Sequence, residues 1–306
     1  MLVIEDIKQF YRGRMAIQEP LSKYTSYRIG GPADFYFEPI DKNDVVSLIM
    51  YLHEHDKKFF VIGNGSNLLI SDTGIRGIVL NFERGLEQIR LEGEHIYAEA
   101  GARLTRLVDF SIQHDMKGLE MLAGIPGTVG GGVIMNAGAY GGEISDFLVD
   151  VEVIRSGKVV KVSKNNGDFS YRHSGFNQDV VLSARFQLPK GDKAEMMKRR
   201  RELLIKRNTS QPLNFPNSGS IFKNPAGDYA AKLIEQAGLK GSWHGKAQIS
   251  EKHGNFIVNT GGAFAEDVIE LMKLVRNTVL EKFGIKLEPE VKLVGFPEQV
   301  IKELID

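Results

Sequence analysis

The apolar positions of the chain follow two periods. Short runs rich in β-branched and aromatic residues, such as Phe59-Phe60-Val61-Ile62, Ile78-Val79-Leu80, Ile96-Tyr97-Ala98 and Val180-Val181-Leu182, have the pattern of buried strands. Further strands are expected at Asp34-Phe35-Tyr36-Phe37, Leu68-Leu69-Ile70, Val149 to Val153, Asn255 to Val258 and Val291 to Val294. Helical spacing appears after Pro39, where Val45, Val46, Leu48, Ile49 and Leu52 mark one face of a helix from about Asp41 to His55. Other helices are expected near Leu104 to His114, over the charged stretch Ala194 to Arg207, and at Tyr229 to Ala237 and Ala265 to Phe283. The last two run into Gly238 and Gly284, which predicts left-handed caps.

Taken in order, these elements give a small α/β unit, a strand-dominated middle with one helix, and a second α/β unit beyond Pro189-Lys190-Gly191-Asp192. The pattern predicts an α+β fold with a partly antiparallel sheet, divided at about 1–80, 81–190 and 191–306, and not a regularly alternating doubly wound fold. Residues 297–306 read as a short surface helix.

Composition narrows the function. Lys plus Arg and Asp plus Glu are equal at 39 each within 306 residues, so no global field attracts nucleic acid or an anionic membrane, and anion binding must be local. The absence of cysteine removes disulfides, thiolate nucleophiles, zinc-thiolate sites and cysteinyl flavin links. No apolar run approaches the roughly 18 residues of a membrane span, and Met1-Leu2-Val3-Ile4-Glu5-Asp6 puts acid where a secretory signal carries base, so a cytoplasmic protein is expected. His53 and His55, two apart on a helix, point away from each other and make no metal pair. No metal site is expected. Lys198 to Arg201 lies among glutamates and reads as a solvated helix face.

Glycine concentrates at Arg28-Ile29-Gly30-Gly31-Pro32-Ala33, at Gly63-Asn64-Gly65-Ser66-Asn67 and between Gly124 and Gly142. Such clusters let backbone amides approach a phosphate. Gly63 to Gly65 lacks the third glycine and following helix of the Rossmann fingerprint, and there is no Gly-x4-Gly-Lys-Ser/Thr, so a different dinucleotide fold is implied. Taken singly, Gly-Asn-Gly-Ser-Asn is most often a turn. The run Gly124-Ile125-Pro126-Gly127-Thr128-Val129-Gly130-Gly131-Gly132-Val133-Ile134-Met135-Asn136-Ala137-Gly138-Ala139-Tyr140-Gly141 is more specific, because that many glycines cost entropy unless something lies against the backbone.

Together with Tyr24 to Ala33, Tyr171-Arg172, Asn217-Ser218-Gly219-Ser220-Ile221-Phe222-Lys223-Asn224-Pro225 and Leu287-Glu288-Pro289-Glu290-Val291, these segments resemble the UDP-N-acetylenolpyruvoylglucosamine reductase (MurB) family of flavoenzymes from about Leu21 to Phe296. The resemblance implies a PCMH-type FAD-binding fold of two subdomains, 1–80 and 81–190, with a C-terminal α/β substrate domain, 191–306. It implies non-covalent FAD, NADPH as electron donor and an enolpyruvyl ether of a UDP-sugar as substrate, with no nucleic acid, membrane or obligate protein partner. By the same match Arg172, Ser220 and Glu290 are the expected catalytic residues and Tyr171, Lys223 and Asn224 substrate contacts. Gly63, Asn64, Gly65, Ser66, Asn67, Gly127, Thr128, Gly130, Gly131, Asn136 and Gly138 would cradle the cofactor. The short interval from Arg172 to Ser220 resembles the class without an inserted tyrosine loop. Without the motif context Arg172 would read as a surface ion pair, Ser220 as a turn residue and Glu290 as an exposed carboxylate. Trp243 and His244, in a glycine-rich loop, either line the substrate cleft or merely pack it.

Overall fold

The computed structural model describes residues 4–305, so Met1–Val3 of the acidic start and Asp306 of the tail lie outside the described residues. By packing, the chain forms two compact units. One comprises 1–17, 35–64 and 77–206; the other comprises 18–34, 65–76 and 207–306.

The first unit carries a five-stranded antiparallel sheet in the order Lys158–Ser163, Leu148–Arg155, Val180–Gln187, His95–Glu99, Ile89–Glu92. Alternation decides which face is buried. Val151 and Val153 are wholly buried while Glu152 between them is not, whereas Val180–Gln187 is buried on both faces over Val180 to Ala184. Helix Leu104–Gln113 buries Leu104, Leu107, Val108 and Ile112, a stripe at helical spacing in the same core. A four-stranded sheet has the order Arg14–Pro20, Pro32–Glu38, Ile75–Asn81, Phe59–Ile62, its last two strands parallel. Helix Lys42–Glu54 begins where the Asp41 side chain accepts from the Asp44 amide, and it buries Val45, Leu48, Ile49 and Leu52.

The second unit is built around helix Ala265–Phe283. Its Val268, Ile269, Met272, Val275 and Val279 pack with Leu233 and Ile234 of helix Ala230–Gln236 and with the antiparallel strands Ala247–Ile249 and Ile257–Asn259. Gly238 and Gly284 follow their helices at positive φ, as the sequence predicts. Two early segments are woven into this unit. Wholly buried Tyr27 donates its hydroxyl to the Ile257 carbonyl at 2.8 Å, and Leu68–Ile70 pairs in parallel with Lys292–Val294. Asp72 accepts from the amides of Ala265 and Glu266 at the start of the long helix.

Most expected elements are present within a residue or two. Helix Val129–Ile134, inside the glycine run, is an addition, as are the strands Arg14–Pro20, Ile89–Glu92 and Lys158–Ser163. Lys158–Ser163 buries only Val162 well.

Candidate active site

The glycine loop after strand Phe59–Ile62 is tightly constrained. A Cβ on Gly63 would stand 2.4 Å from the Thr128 hydroxyl oxygen, and one on Gly65, at φ 58°, would stand 2.0 Å from the Tyr24 carbonyl oxygen. Neither position accepts a side chain. The amides of Asn64, Gly65 and Ser66 donate to no acceptor among the described residues, and the same holds for Gly127 and Thr128. Backbone N–H groups rarely go without an acceptor, so such runs fit anionic oxygens such as those of a pyrophosphate. The glycine run itself is held by protein. Thr128 caps helix Val129–Ile134, the amides of Val129 and Gly130 donate to the carbonyls of Ala102 and Ala100, and Gly130 packs on Ala100 too closely for a larger residue. Gly131 is exposed, and a Cβ there would meet only the Thr128 hydroxyl oxygen, at an ordinary contact distance of 3.6 Å. Beyond it Gly138–Ala139 pairs with Gly142–Glu143 around the two-residue turn Tyr140-Gly141, both at positive φ. Asn136, also expected in the cradle, is wholly buried and its side chain is bonded to protein.

Arg172, also in the first unit, sits on another tight turn. Ser170 and His173 exchange both backbone hydrogen bonds, at 3.2 and 3.0 Å, and leave Tyr171 and Arg172 between them. Arg172 has φ 56°, a left-handed conformation that costs a residue with a Cβ about 1–2 kcal/mol. Its guanidinium lies 5.0 Å from the centre of the exposed Tyr171 ring. The sequence therefore holds a half-buried cation on a strained support.

In the second unit the segments carrying Ser220 and Glu290 run side by side through an isolated bridge. Phe222 and Pro289 form an antiparallel bridge, the Glu290 amide donates to the Ile221 carbonyl at 2.7 Å, and the Lys223 amide donates to the Glu288 carbonyl at 2.8 Å. The half-buried Ser220 hydroxyl has no hydrogen bond among the described residues. Asn67, from the first glycine loop, donates its side-chain amide to the Glu290 carbonyl at 3.1 Å, and the Lys292 amide donates to the Asn67 carbonyl at 3.0 Å. The loop thus fixes the glutamate's backbone. Lys223 pairs with Glu288 at 3.3 Å, and the side-chain oxygen of exposed Asn224 accepts from the Ala230 amide at 3.1 Å at the start of a helix.

Lys292 belongs to this constellation, although the sequence analysis passed over it. Partial desolvation of its ammonium, with the charge of Lys223 adding to it, holds its pKa below the usual lysine value. Two lysines close enough to repel are suited to an anion. Trp243 and His244 form an exposed edge strand, with the His244 ring 3.4 Å from Asp267.

The Ser220 segment has its own clamp. Buried Asn255 accepts from the Phe222 amide at 2.9 Å and donates to the Phe222 carbonyl at 2.7 Å, and its own carbonyl accepts from Ile221 at 3.0 Å. The Asn255 amide in turn donates to His253 Nδ1 at 3.3 Å, so that nitrogen is the unprotonated one. Burial holds the His253 pKa below its ordinary 6.5. The unfolded chain therefore binds the proton more readily, and the stability contributed by neutral His253 is complete above pH 6.5 and declines as pH falls below it. Melting temperature should drop on that acid side, and His253→Gln should flatten this part of the profile. Superimposable wild-type and variant profiles would exclude His253 as the source.

Known proteins are similar to this chain over both of its matched regions. A family model described as "FAD binding domain" matches residues 33–163, and one described as "UDP-N-acetylenolpyruvoylglucosamine reductase, C-terminal domain" matches residues 211–294, which contain Ser220, Lys223 and Glu290. The UDP-N-acetylenolpyruvoylglucosamine reductase of Chloroherpeton thalassium is 46% identical over 311 residues, spanning 99% of this chain and 100% of that one. The protein of the same name from Agathobacter rectalis is 47% identical over 292 residues, spanning 90% of this chain and 93% of its own length. The crystal structure of UDP-N-acetylenolpyruvylglucosamine reductase (MurB) from Thermus caldophilus superposes with a TM-score of 0.80 at 35% identity, covering 93% of this chain and 100% of that one. These matches support the expected α+β fold, a PCMH-type FAD-binding region followed by a substrate domain. With both domains matched and relatives aligned nearly end to end, the chain belongs to the UDP-N-acetylenolpyruvoylglucosamine reductase family.

Proposed function

We propose that the chain reduces UDP-N-acetylglucosamine enolpyruvate to UDP-N-acetylmuramate with NADPH, through non-covalently bound FAD, in the supply of peptidoglycan precursors. The observation that carries this reading is the joining of Ser220, whose hydroxyl is unengaged, to the Glu290 segment beside two lysines. FAD held there would supply two-electron chemistry between NADPH and the enolpyruvyl double bond. Its cradle is formed by Gly63, Asn64, Gly65, Ser66, Asn67, Gly127, Thr128, Gly130, Gly131 and Gly138, with Asn136 behind it. The unpartnered amides of Asn64, Gly65, Ser66, Gly127 and Thr128 fit its pyrophosphate.

Addition of hydride to the terminal carbon places negative charge toward the substrate carboxylate. The Arg172 guanidinium stabilises that charge, and Tyr171 contributes an apolar surface against it. The Ser220 hydroxyl delivers a proton to the neighbouring carbon, which its lack of an internal acceptor permits. Glu290 polarises the carboxylate system or orients Ser220. Lys223, Lys292 and Asn224 bind the nucleotide diphosphate.

The four-stranded sheet within residues 14–81 and the five-stranded sheet within 89–187 support two flavin-binding subdomains, 1–80 and 81–190, ahead of a substrate domain at 191–306. Among the described residues no helix is long and apolar enough to cross a membrane, and a reaction drawing on NADPH is assigned to the cytoplasm. The partner is the enolpyruvyl ether of a UDP-sugar.

Two measurements test this reading. Acid precipitation should release the yellow chromophore into the supernatant, and colour retained in the pellet would refute the non-covalent assignment. If NADPH and the UDP-sugar meet the flavin in turn, double-reciprocal plots should be parallel; intersecting lines would require both ligands to bind together.

A further inference from the structure

Asn136 stands at the end of the glycine-run helix in a left-handed conformation, φ 43°, with no exposed surface. Its amide nitrogen donates to Glu143 Oε2 at 2.6 Å and to the Ser170 carbonyl at 3.0 Å, while its oxygen accepts from the Ser145 amide at 3.4 Å. Ser170 is one foot of the turn that carries Arg172. The other side is tied to the same helix, because the Ser174 hydroxyl donates to the Ile134 carbonyl at 2.9 Å. A strained residue persists only where its surroundings over-determine it. Here the turn is fixed on both sides of Arg172 by the last residues of the glycine run.

We infer that Asn136, aimed by Glu143 and seconded by Ser174, is a positioning residue for Arg172, so that one helix sets both the flavin-binding backbone and the placement of the carboxylate-binding guanidinium. The inference rests on the role proposed above for Arg172. Its chemical basis is the second donor of a primary amide. One N–H satisfies the Glu143 carboxylate, which fixes the amide's orientation, and the other reaches the Ser170 carbonyl. A residue whose side chain cannot donate at this position leaves that carbonyl without its second bond and lets the turn relax from the geometry Arg172 needs.

The test is a double-mutant cycle on the flavin-loaded enzyme. Asn136→Gly keeps the left-handed backbone accessible and removes only the amide, and it is combined with Arg172→Ala. Stopped-flow absorbance follows bleaching of the flavin by NADPH and its recolouring by the enolpyruvyl UDP-sugar, alongside the FAD dissociation constant and melting temperature of each variant. With Arg172 present, Asn136→Gly should slow recolouring about 10- to 100-fold. In the Arg172→Ala background the same change should cost less than about 3-fold, since what it positions is gone. Equal losses in both backgrounds would overturn the inference and return Asn136 to the flavin cradle or the fold alone. Should Asn136→Gly fail to hold flavin, Ser174→Ala takes its place in the cycle, with a smaller loss expected in the same coupled pattern and additivity again contradicting it. If Arg172→Ala by itself recolours at the wild-type rate, the role proposed for Arg172 is wrong, an outcome distinct from additivity around an impaired Arg172 variant.

Discussion

Ser220→Ala should leave bleaching of the flavin by NADPH at its wild-type rate and slow recolouring by the enolpyruvyl UDP-sugar about 10²–10⁴-fold, the usual cost of a positioned proton donor. The asymmetry follows from the chemistry, because only the second half-reaction protonates a substrate carbon. It also follows from the geometry. The Ser220 hydroxyl supports no described neighbour, so its removal breaks no internal hydrogen bond and should hardly disturb the fold. Equal slowing of both half-reactions would make the serine structural, and unaltered recolouring would remove it from the reaction.

Asn255→Ala should be the most damaging single change to the second unit. It strips the Phe222 amide and carbonyl, both on a wholly buried residue, of their partners at 2.9 and 2.7 Å. Each buried polar group left unsatisfied costs about 1–3 kcal/mol, so a loss of roughly 3 kcal/mol or more is expected. At about 2–4 °C per kcal/mol for a chain near this size, the melting temperature should fall by roughly 10 °C. Recolouring should slow as well, since Ser220 stands two residues from the released backbone. Asn255→Asp, which keeps the acceptor and loses the donor, should fall between. Calorimetry showing an unshifted transition for Asn255→Ala would mean that the Glu290 segment alone holds the serine in place.

What the sequence discloses and what it hides follow from the range of the interactions. Helix Ala265–Phe283 is legible to the residue because an apolar stripe at helical spacing ends at Gly284, which takes the left-handed cap. Helix Val129–Ile134 is not, because Val-Gly-Gly-Gly is among the poorest helix-forming strings. It forms because Thr128 caps it and the strand end at Ala100 and Ala102 accepts its first amides, contacts that no local period can signal. The same limit hides the enclosure of 18–34 and 65–76 within the second unit, which depends on pairs such as Tyr27 with Ile257 and Leu69 with Leu293.

At the candidate site, Ser220 and Glu290 become conspicuous only through their motifs, since a serine after glycine and a glutamate after proline are ordinary turn chemistry. Asn255 and Lys292 lacked any motif to mark them and needed coordinates. Asn136 was legible as part of the glycine run, but its attachment to Ser170 was not, because the carbonyl it holds is 34 residues away.

The most direct test of the reductase assignment is the absorbance spectrum of the purified protein under anaerobic conditions, recorded as NADPH and then the enolpyruvyl UDP-sugar are added. The account predicts an oxidised flavin spectrum at the start, bleaching by one equivalent of NADPH, and full recovery on one equivalent of the UDP-sugar with UDP-N-acetylmuramate formed in the same amount. A protein that cannot be loaded with flavin, or a bleached flavin that the UDP-sugar leaves bleached until oxygen is admitted, would contradict it.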